Sequence, residues 1–277
     1  MTGGSPSTTS GRRWPFVVIL LVGIGLALAP AAFQMFSRAP EGGTMIEEFR
    51  PFMNEATITD FRGYLDEIGA ARDETRDELQ PALGSADEFT AEYPQAAAFV
   101  EQWDAIDADM GDMLDTIDEN RDEFDGVSSL PPFALFPWFF VIPGVLVAVV
   151  AGLSLRRVGR GRRPLTTALV VLGVGLLLAP AVFQMFTRAP GGGRMIDDFE
   201  TLMTRDRGTQ IQGYFIPTGS GEGQLRPAVV PAAVEEGGGT AADYPATQQL
   251  SEDWPQLLGE MSDMVGAMAD NLDNYAA

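Results

Sequence analysis

Three stretches of the 277-residue chain contain no charged residue and run past twenty residues each: Trp14 to Phe36, Phe133 to Leu155, and Leu165 to Phe186. About 20 apolar residues at ~1.5 Å rise per residue cover a ~30 Å hydrocarbon core. In lipid the backbone polar groups must be satisfied within the segment, which leaves the helix as the available form. The expected spans are 14–37, 133–155 and 165–187. Ala27-Leu28-Ala29 looks like a leader cleavage site, but Pro30 follows it and nearly the same segment recurs deep in the chain, so the first stretch is read as a span.

Charge is sorted by region. Residues 41–132 hold 25 Asp/Glu and 5 Arg, residues 191–277 hold 14 and 4, and the rest holds 9 Arg and no acid. Arg12 and Arg13 precede the first stretch, and Arg156, Arg157, Arg160, Arg162 and Arg163 lie between the second and third. An excess of Arg in short loops marks the cytoplasmic side. The expected layout is a multi-pass plasma-membrane protein with a disordered cytoplasmic tail (1–13) and a cytoplasmic Arg-rich loop (156–164). Two acidic domains (38–132 and 188–277) then lie outside the cell, with the C-terminus extracellular. The Lys-free, Ala/Gly/Arg-rich composition points to a high-GC bacterium.

The chain overlays itself at an offset of 150. Residues 23–49 (GIGLALAPAAFQMFSRAPEGGTMIEEF) match 173–199 (GVGLLLAPAVFQMFTRAPGGGRMIDDF) at 19 of 27 positions. At an offset of 151 the match resumes, with Ala91-Glu92-Tyr93-Pro94 against Ala242-Asp243-Tyr244-Pro245 and Trp103 against Trp254. Such a repeat reads as duplication of a unit made of one span and one outer domain. The second stretch is then the return that lets both copies thread the bilayer in the same sense.

The fold class expected is all-α: three transmembrane helices and two duplicated acidic helical domains that form one composite bundle. Arg38-Ala39-Pro40 with Gly42-Gly43, and Arg188-Ala189-Pro190 with Gly192-Gly193, predict helix breaks at the outer surface. A short amphipathic piece follows, with Met45, Ile46, Phe49 and Met53 on one side. Ile58, Phe61, Leu65 and Ile68 make a helical stripe, with Thr57 or Thr59 as its N-cap. The Gly/Pro-rich stretch 216–240 of the second copy predicts a long loop.

The last helix of each copy carries a coiled-coil-like seam. Trp103, Ile106, Met110, Met113, Ile117, Asn120 and Phe124 fall at alternating gaps of 3 and 4, as do Trp254, Leu257, Met261, Met264, Met268, Asn271 and Tyr275. A polar residue in a seam is satisfied only when paired and fixes register, so Asn120 and Asn271 are expected to meet each other or a shared partner. The candidate interaction residues are Trp103, Met110, Met113, Asn120, Trp254, Met261, Met264 and Asn271. Between spans, Gly25 with Ala29 and Gly175 with Ala179 offer small faces for packing, and Gln34 and Gln184 can hydrogen-bond across them.

Without Lys, His or Cys there is no P-loop, Schiff base, His general base, disulfide or Cys–His zinc site. The paired acids sit at solvated helical positions, so loose surface binding of a divalent cation is the most they suggest. An acidic surface repels phosphate and disfavours nucleic acid. Methionine thioethers are potential soft-metal donors, but they lie at core spacing and are read as packing. No catalytic residue, cofactor or metal site is expected. The functional expectation is a non-enzymatic membrane protein that presents a helical ectodomain for interaction, sensing or scaffolding, with the bilayer and a protein partner or second copy as its partners. The architecture distantly resembles the membrane-anchored helical sensor domains of bacterial receptors. The alternative is an accessory subunit or oligomeric component of a transport system.

Overall fold

The structure is a computed structural model that describes residues 13–156, 163–182 and 185–275. The N-terminal tail, most of the Arg-rich loop, Gln184 and Ala277 lie outside the described residues. All regular structure among the described residues is helical. The chain divides into two compact units, residues 1–44 with 129–190 and residues 45–128 with 191–277.

The first unit is built on α1 (Trp14–Ala32) and α8 (Phe136–Arg156), with α9 (Arg163–Val182) packed against α8. Two helical stretches are long and apolar enough to cross a membrane, Trp14–Ala32 and Phe133–Arg156; the apolar segment of α9, Pro164–Ala179, is shorter. Helix α1 packs along α8 at van der Waals limits. A β-carbon at Gly23 would lie 2.7 Å from the Ala148 backbone nitrogen, and one at Gly144 would lie 2.6 Å from the Ala27 nitrogen. Val147, Ala151 and Leu169 form the small core, joined by Phe16, Ile19 and Leu20 of α1. Phe36 meets Trp138 edge to face at 5.6 Å.

The span packing differs from the expectation. Gly25 and Gly175 have open space where a β-carbon would project. The close approach is made two residues earlier, by Gly23, and the partner is α8 rather than α9. Two glycines facing each other let backbones touch, whereas Gly25 sits on the exposed side of its helix. Gly175 and Ala179 instead border an apolar cavity of about 580 Å³ lined from α1, α8 and α9.

Helix α1 ends earlier than the 14–37 span expected. Gln34 adopts φ +56°, the left-handed region, and its carbonyl accepts from the backbone N–H groups of Ser37 and Arg38 at 3.1 Å each. This closes one helix and opens the next, α2 (Met35–Phe49). The exposed Gln34 thus acts through its backbone, and its intended partner Gln184 is among the residues not described. The predicted break at Pro40 and Gly42-Gly43 does not occur, because α2 runs through all three. Phe133 lies over those glycines, its Cδ1 at 3.8 Å and its Cβ at 3.6 Å from where β-carbons would stand, so packing offsets their weak helix propensity. Helix α10 (Met185–Phe199) likewise runs through Pro190 and Gly192-Gly193.

The second unit is a bundle of four long helices: α3 (Glu55–Glu74), α6 (Pro94–Glu119), α11 (Arg205–Gln224) and α13 (Pro245–Tyr275). Helices α3 and α11 each pack against both α6 and α13. Helix α3 starts at Asn54, not at Thr57 or Thr59. Asn54 holds extended backbone, its side-chain oxygen accepts from the Thr57 N–H at 2.9 Å, and Thr57 is the third residue of the helix. Thr204 caps α11 in the same way through the Arg207 N–H. A π-helical turn follows each of these helices, at Thr75–Leu79 and Leu225–Val229, then a short helix, α4 (Gln80–Leu83) or α12 (Val230–Gly237). Helices α5 (Ala86–Glu92) and α7 (Arg121–Ser128) complete the first half. Ser85 and Glu88 close a reciprocal capping box at the start of α5.

The predicted loop at 216–240 is helical through Gly237, with α11 continuing past Pro217. Its glycines are packing sites. The Trp254 ring lies 3.3 Å from where a Gly219 β-carbon would be, and a Gly221 β-carbon would fall 2.5 Å from Phe99 Cβ. Each Gly costs ~1 kcal/mol of propensity, less than burying a large aromatic against the helix contributes.

Candidate functional site

The two seams face each other inside the bundle. Trp103, Met110, Met113, Asn120, Met261, Met264 and Asn271 are all buried and Trp254 is partly buried. The sequence pattern placed these residues on one face of each helix. It did not show what covers those faces: α3 and α11 each pack against both α6 and α13, so the seams are not open to an outside partner.

Asn120 and Asn271 do not meet. The Asn120 amide donates to Asp198 at 3.2 Å and to the Thr116 carbonyl at 3.0 Å. The Asn271 amide donates to Glu48 and, at 2.9 Å, to the Ala267 carbonyl. Glu48 and Asp198 are 150 residues apart, so each half's Asn is satisfied by the equivalent acid of the other half. These acids lie on the solvent side of α2 and α10, where a heptad pattern gives no sign of them.

Two more reciprocal pairs follow the same rule. Tyr64 donates its hydroxyl to Glu260 at 2.8 Å, and Tyr214 donates to Asp109 at 2.7 Å. Burial, then the bonded carboxylate, raises both phenol pKa values above the ordinary range. Glu74 accepts the N–H groups of Ala246 and Thr247 at 3.1 and 2.7 Å, capping α13. Gln224 accepts those of Gln95 and Ala96 at 2.9 and 3.0 Å, capping α6. A helix start leaves four unbonded N–H groups. Here each half supplies the acceptors for the other half's longest helix.

Three small apolar voids lie along the bundle interior. The first, about 40 Å³, is lined by Met45, Ile46, Phe49 and Met53, by their equivalents Met195, Ile196, Phe199 and Met203, and by Phe124. The second, about 20 Å³, shares Phe49, Met53, Phe199 and Met203 and adds Met113, Met264 and Met268 among others. The third, about 10 Å³, is bordered by Trp103, Met110, Trp254 and Met261. Seam periodicity alone gives no sign of the voids, because Met53 and Met203 lie in the turns after α2 and α10 and reach the interior from outside the long helices.

Arg207 pairs with Asp109 beside the third void, and Arg72 pairs with Asp104 and Asp73. Burial, and then the Asp253 charge, raises the Glu67 carboxyl pKa, and one Glu67 oxygen is buried without a hydrogen-bond partner among the described residues. Bonds from Arg121 and then Arg62 hold Asp118 below the ordinary carboxylate range. The two shifts have opposite consequences. A raised folded-state pKa makes the native protein bind the proton more tightly, so stability increases as pH falls through that raised value. A lowered one supplies stability above the ordinary pKa that is lost on acidification. Glu67→Gln should therefore raise Tm at pH 7 by roughly 1–3 °C, and Asp118→Asn should lower it. Both differences should vanish in thermal melts below the ordinary carboxylate range; differences that persist there would show an origin other than charge.

Among the described residues no group of Asp or Glu side chains is arranged to hold a metal ion. No known protein family, curated protein or solved structure matches the chain.

Proposed function

We propose that the chain is a non-enzymatic integral membrane protein of a bacterial plasma membrane that holds a composite helical bundle outside the cell for interaction, sensing or scaffolding. Three spans carry it: α1, α8, and a third within 165–187 to which α9 belongs. The N-terminus is cytoplasmic, the C-terminus extracellular, and the second half is a duplicate of the first. The observation that carries the reading is the reciprocal set of contacts between halves. Asn120, Asn271, Tyr64, Tyr214, Glu74 and Gln224 are each engaged in holding one half to the other. Polar groups committed in this way serve architecture rather than chemistry. A protein partner or a second copy then meets the acidic outer faces, since the seams are covered.

Reporters fused after Gly161 and at Ala277 test the layout. Signals from opposite sides of the membrane are expected; signals from the same side would overturn it. Recovery of a second protein with the full chain from mild detergent tests the interaction role, and repeated recovery of the chain alone would count against it.

A transport role, as accessory subunit or oligomeric component, is favoured by the 580 Å³ cavity among α1, α8 and α9. Its volume lies within the ~300–1,000 Å³ of ligand pockets, and its predominantly apolar lining suits a lipid-like cargo rather than an ion. Flux of an apolar tracer in liposomes above a protein-free control would support that role.

A further inference from the structure

We infer that the second void of the bundle is a binding site for a soft monovalent cation of the Cu(I) or Ag(I) class, held by methionine thioethers alone. This goes beyond the interaction role proposed above and stands on the bundle interior, whatever the membrane layout.

Five methionines line this one void of about 20 Å³: Met53, Met113, Met203, Met264 and Met268. Four of them form equivalent pairs, Met53 with Met203 and Met113 with Met264, so donors arrive from both halves. Exposure of the five ranges from 1% to 6%, with Met113 at 1% and Met264 at 2%. A void needs roughly 10–15 Å³ to hold one water, and a water also needs two or more polar partners. This void has the room and lacks the partners, so a single atom that bonds to sulfur fits where water does not.

The donor chemistry selects the occupant. Thioether sulfur is a soft ligand that favours Cu(I) over hard cations. The chain contains no Cys and no His, so methionine is the only soft donor it possesses. Hard divalent cations are drawn to the carboxylates outside. A single positive charge carries the smallest desolvation cost of any metal ion. The rings of Phe49 and Phe199 line the same void, and aromatic faces attract cations. The surrounding blocks are strongly acidic, which favours entry of a cation.

The route in has the same donors. The first void shares Met53 and Met203 with the second and adds Met45 and Met195. Ile196 at its border is 52% exposed. A cation entering there passes from one methionine pair to the next without leaving sulfur.

The test uses the full chain in detergent under anoxic conditions, with Cu(I) supplied as its acetonitrile complex against bicinchoninate as a coloured competitor. Wild-type protein should withdraw copper from the competitor, and X-ray absorption should show a shell of sulfur only. The variant M53L/M203L/M113L/M264L keeps side-chain volume, and such swaps are well tolerated in cores. Its affinity should fall by about 100-fold or more, since only Met268 of the five soft donors then remains at the void, while its circular dichroism stays unchanged. Ag(I) should raise Tm for wild type and not for the variant, because a ligand stabilises only the state that binds it. Should the quadruple variant fail to fold, M113L and M264L are measured singly and each should weaken binding. Failure of the wild type to compete, or equal binding by the variants through surface carboxylates with oxygen in the absorption shell, would overturn the assignment and leave these methionines as packing.

Discussion

Replacing Gly221 with alanine should destabilise the bundle by about 2–3 kcal/mol, although alanine is worth ~1 kcal/mol more than glycine in an ordinary helix interior. The expected sign is opposite to the propensity sign, which makes the experiment discriminating. The added β-carbon would stand 2.5 Å from Phe99 Cβ and 2.8 Å from its Cγ. Phe99 is fully buried and cannot swing away. For a two-half bundle of this size a loss of that order lowers Tm by roughly 5–10 °C, read by circular dichroism in detergent. The equivalents of Gly221 and Phe99 are Ala71 and Leu250, both buried. The other half thus combines a larger residue on one helix with a smaller one on the next. F99L added to G221A should recover much of the loss, as a favourable coupling in a double-mutant cycle. A rise in Tm for G221A alone would mean that Phe99 does not press on this helix.

The second large effect lies in the first unit. Gly144→Leu should separate α1 from α8, at a cost of about 3 kcal/mol or more. The clashing atoms are backbone: the Ala27 nitrogen at 2.6 Å and the Gly23 oxygen at 2.8 Å from the new β-carbon. No rotamer change relieves such a contact, so the helices themselves must move apart. Where apolar burial gives helices little reason to associate, close backbone packing supplies much of the attraction. Gly25→Leu and Gly175→Leu are the controls, since nothing lies within 4 Å of either β-carbon position. In detergent melts and size-exclusion profiles, G144L should give a lower Tm and a broadened peak, and the controls should match wild type. Equal behaviour of all three would refute the assignment of the Gly23–Gly144 contact.

These two sites also show where sequence reasoning stops. Periodicity located the stripe Ile58, Phe61, Leu65 and Ile68 and both long seams, because a helix face in water must alternate at 3.6 residues to bury its apolar side. It located the short amphipathic piece at Met45 to Met53 for the same reason. Glycine was the ambiguous letter. At 216–240 it signalled a loop, yet Gly219 and Gly221 are places where a neighbour's ring replaces a side chain. In α1, Gly23 and Gly25 look alike in a list of letters and differ only in which way they face. Asn120 and Asn271 were recognised as polar residues needing partners. Their acceptors, Asp198 and Glu48, lie 78 and 223 residues away in sequence, and no local pattern connects them. Gln34 gave no warning that it would turn the chain, since a left-handed backbone at a residue other than Gly, Asn or Asp is uncommon.

The crossed helix caps bear on the order of events during synthesis. The acceptor for the start of α6 comes from residue 224, and residue 74 accepts the N–H groups of residues 246 and 247 at the start of α13. While the ribosome is still making the middle of the chain, the first half therefore has an uncapped central helix and an uncovered apolar face. Closure of loops this long is what slows folding. The nascent first half must wait, exposed to proteases and chaperones, until nearly the last turn of α13 has been made, and a premature stop anywhere before it would leave both halves unfinished.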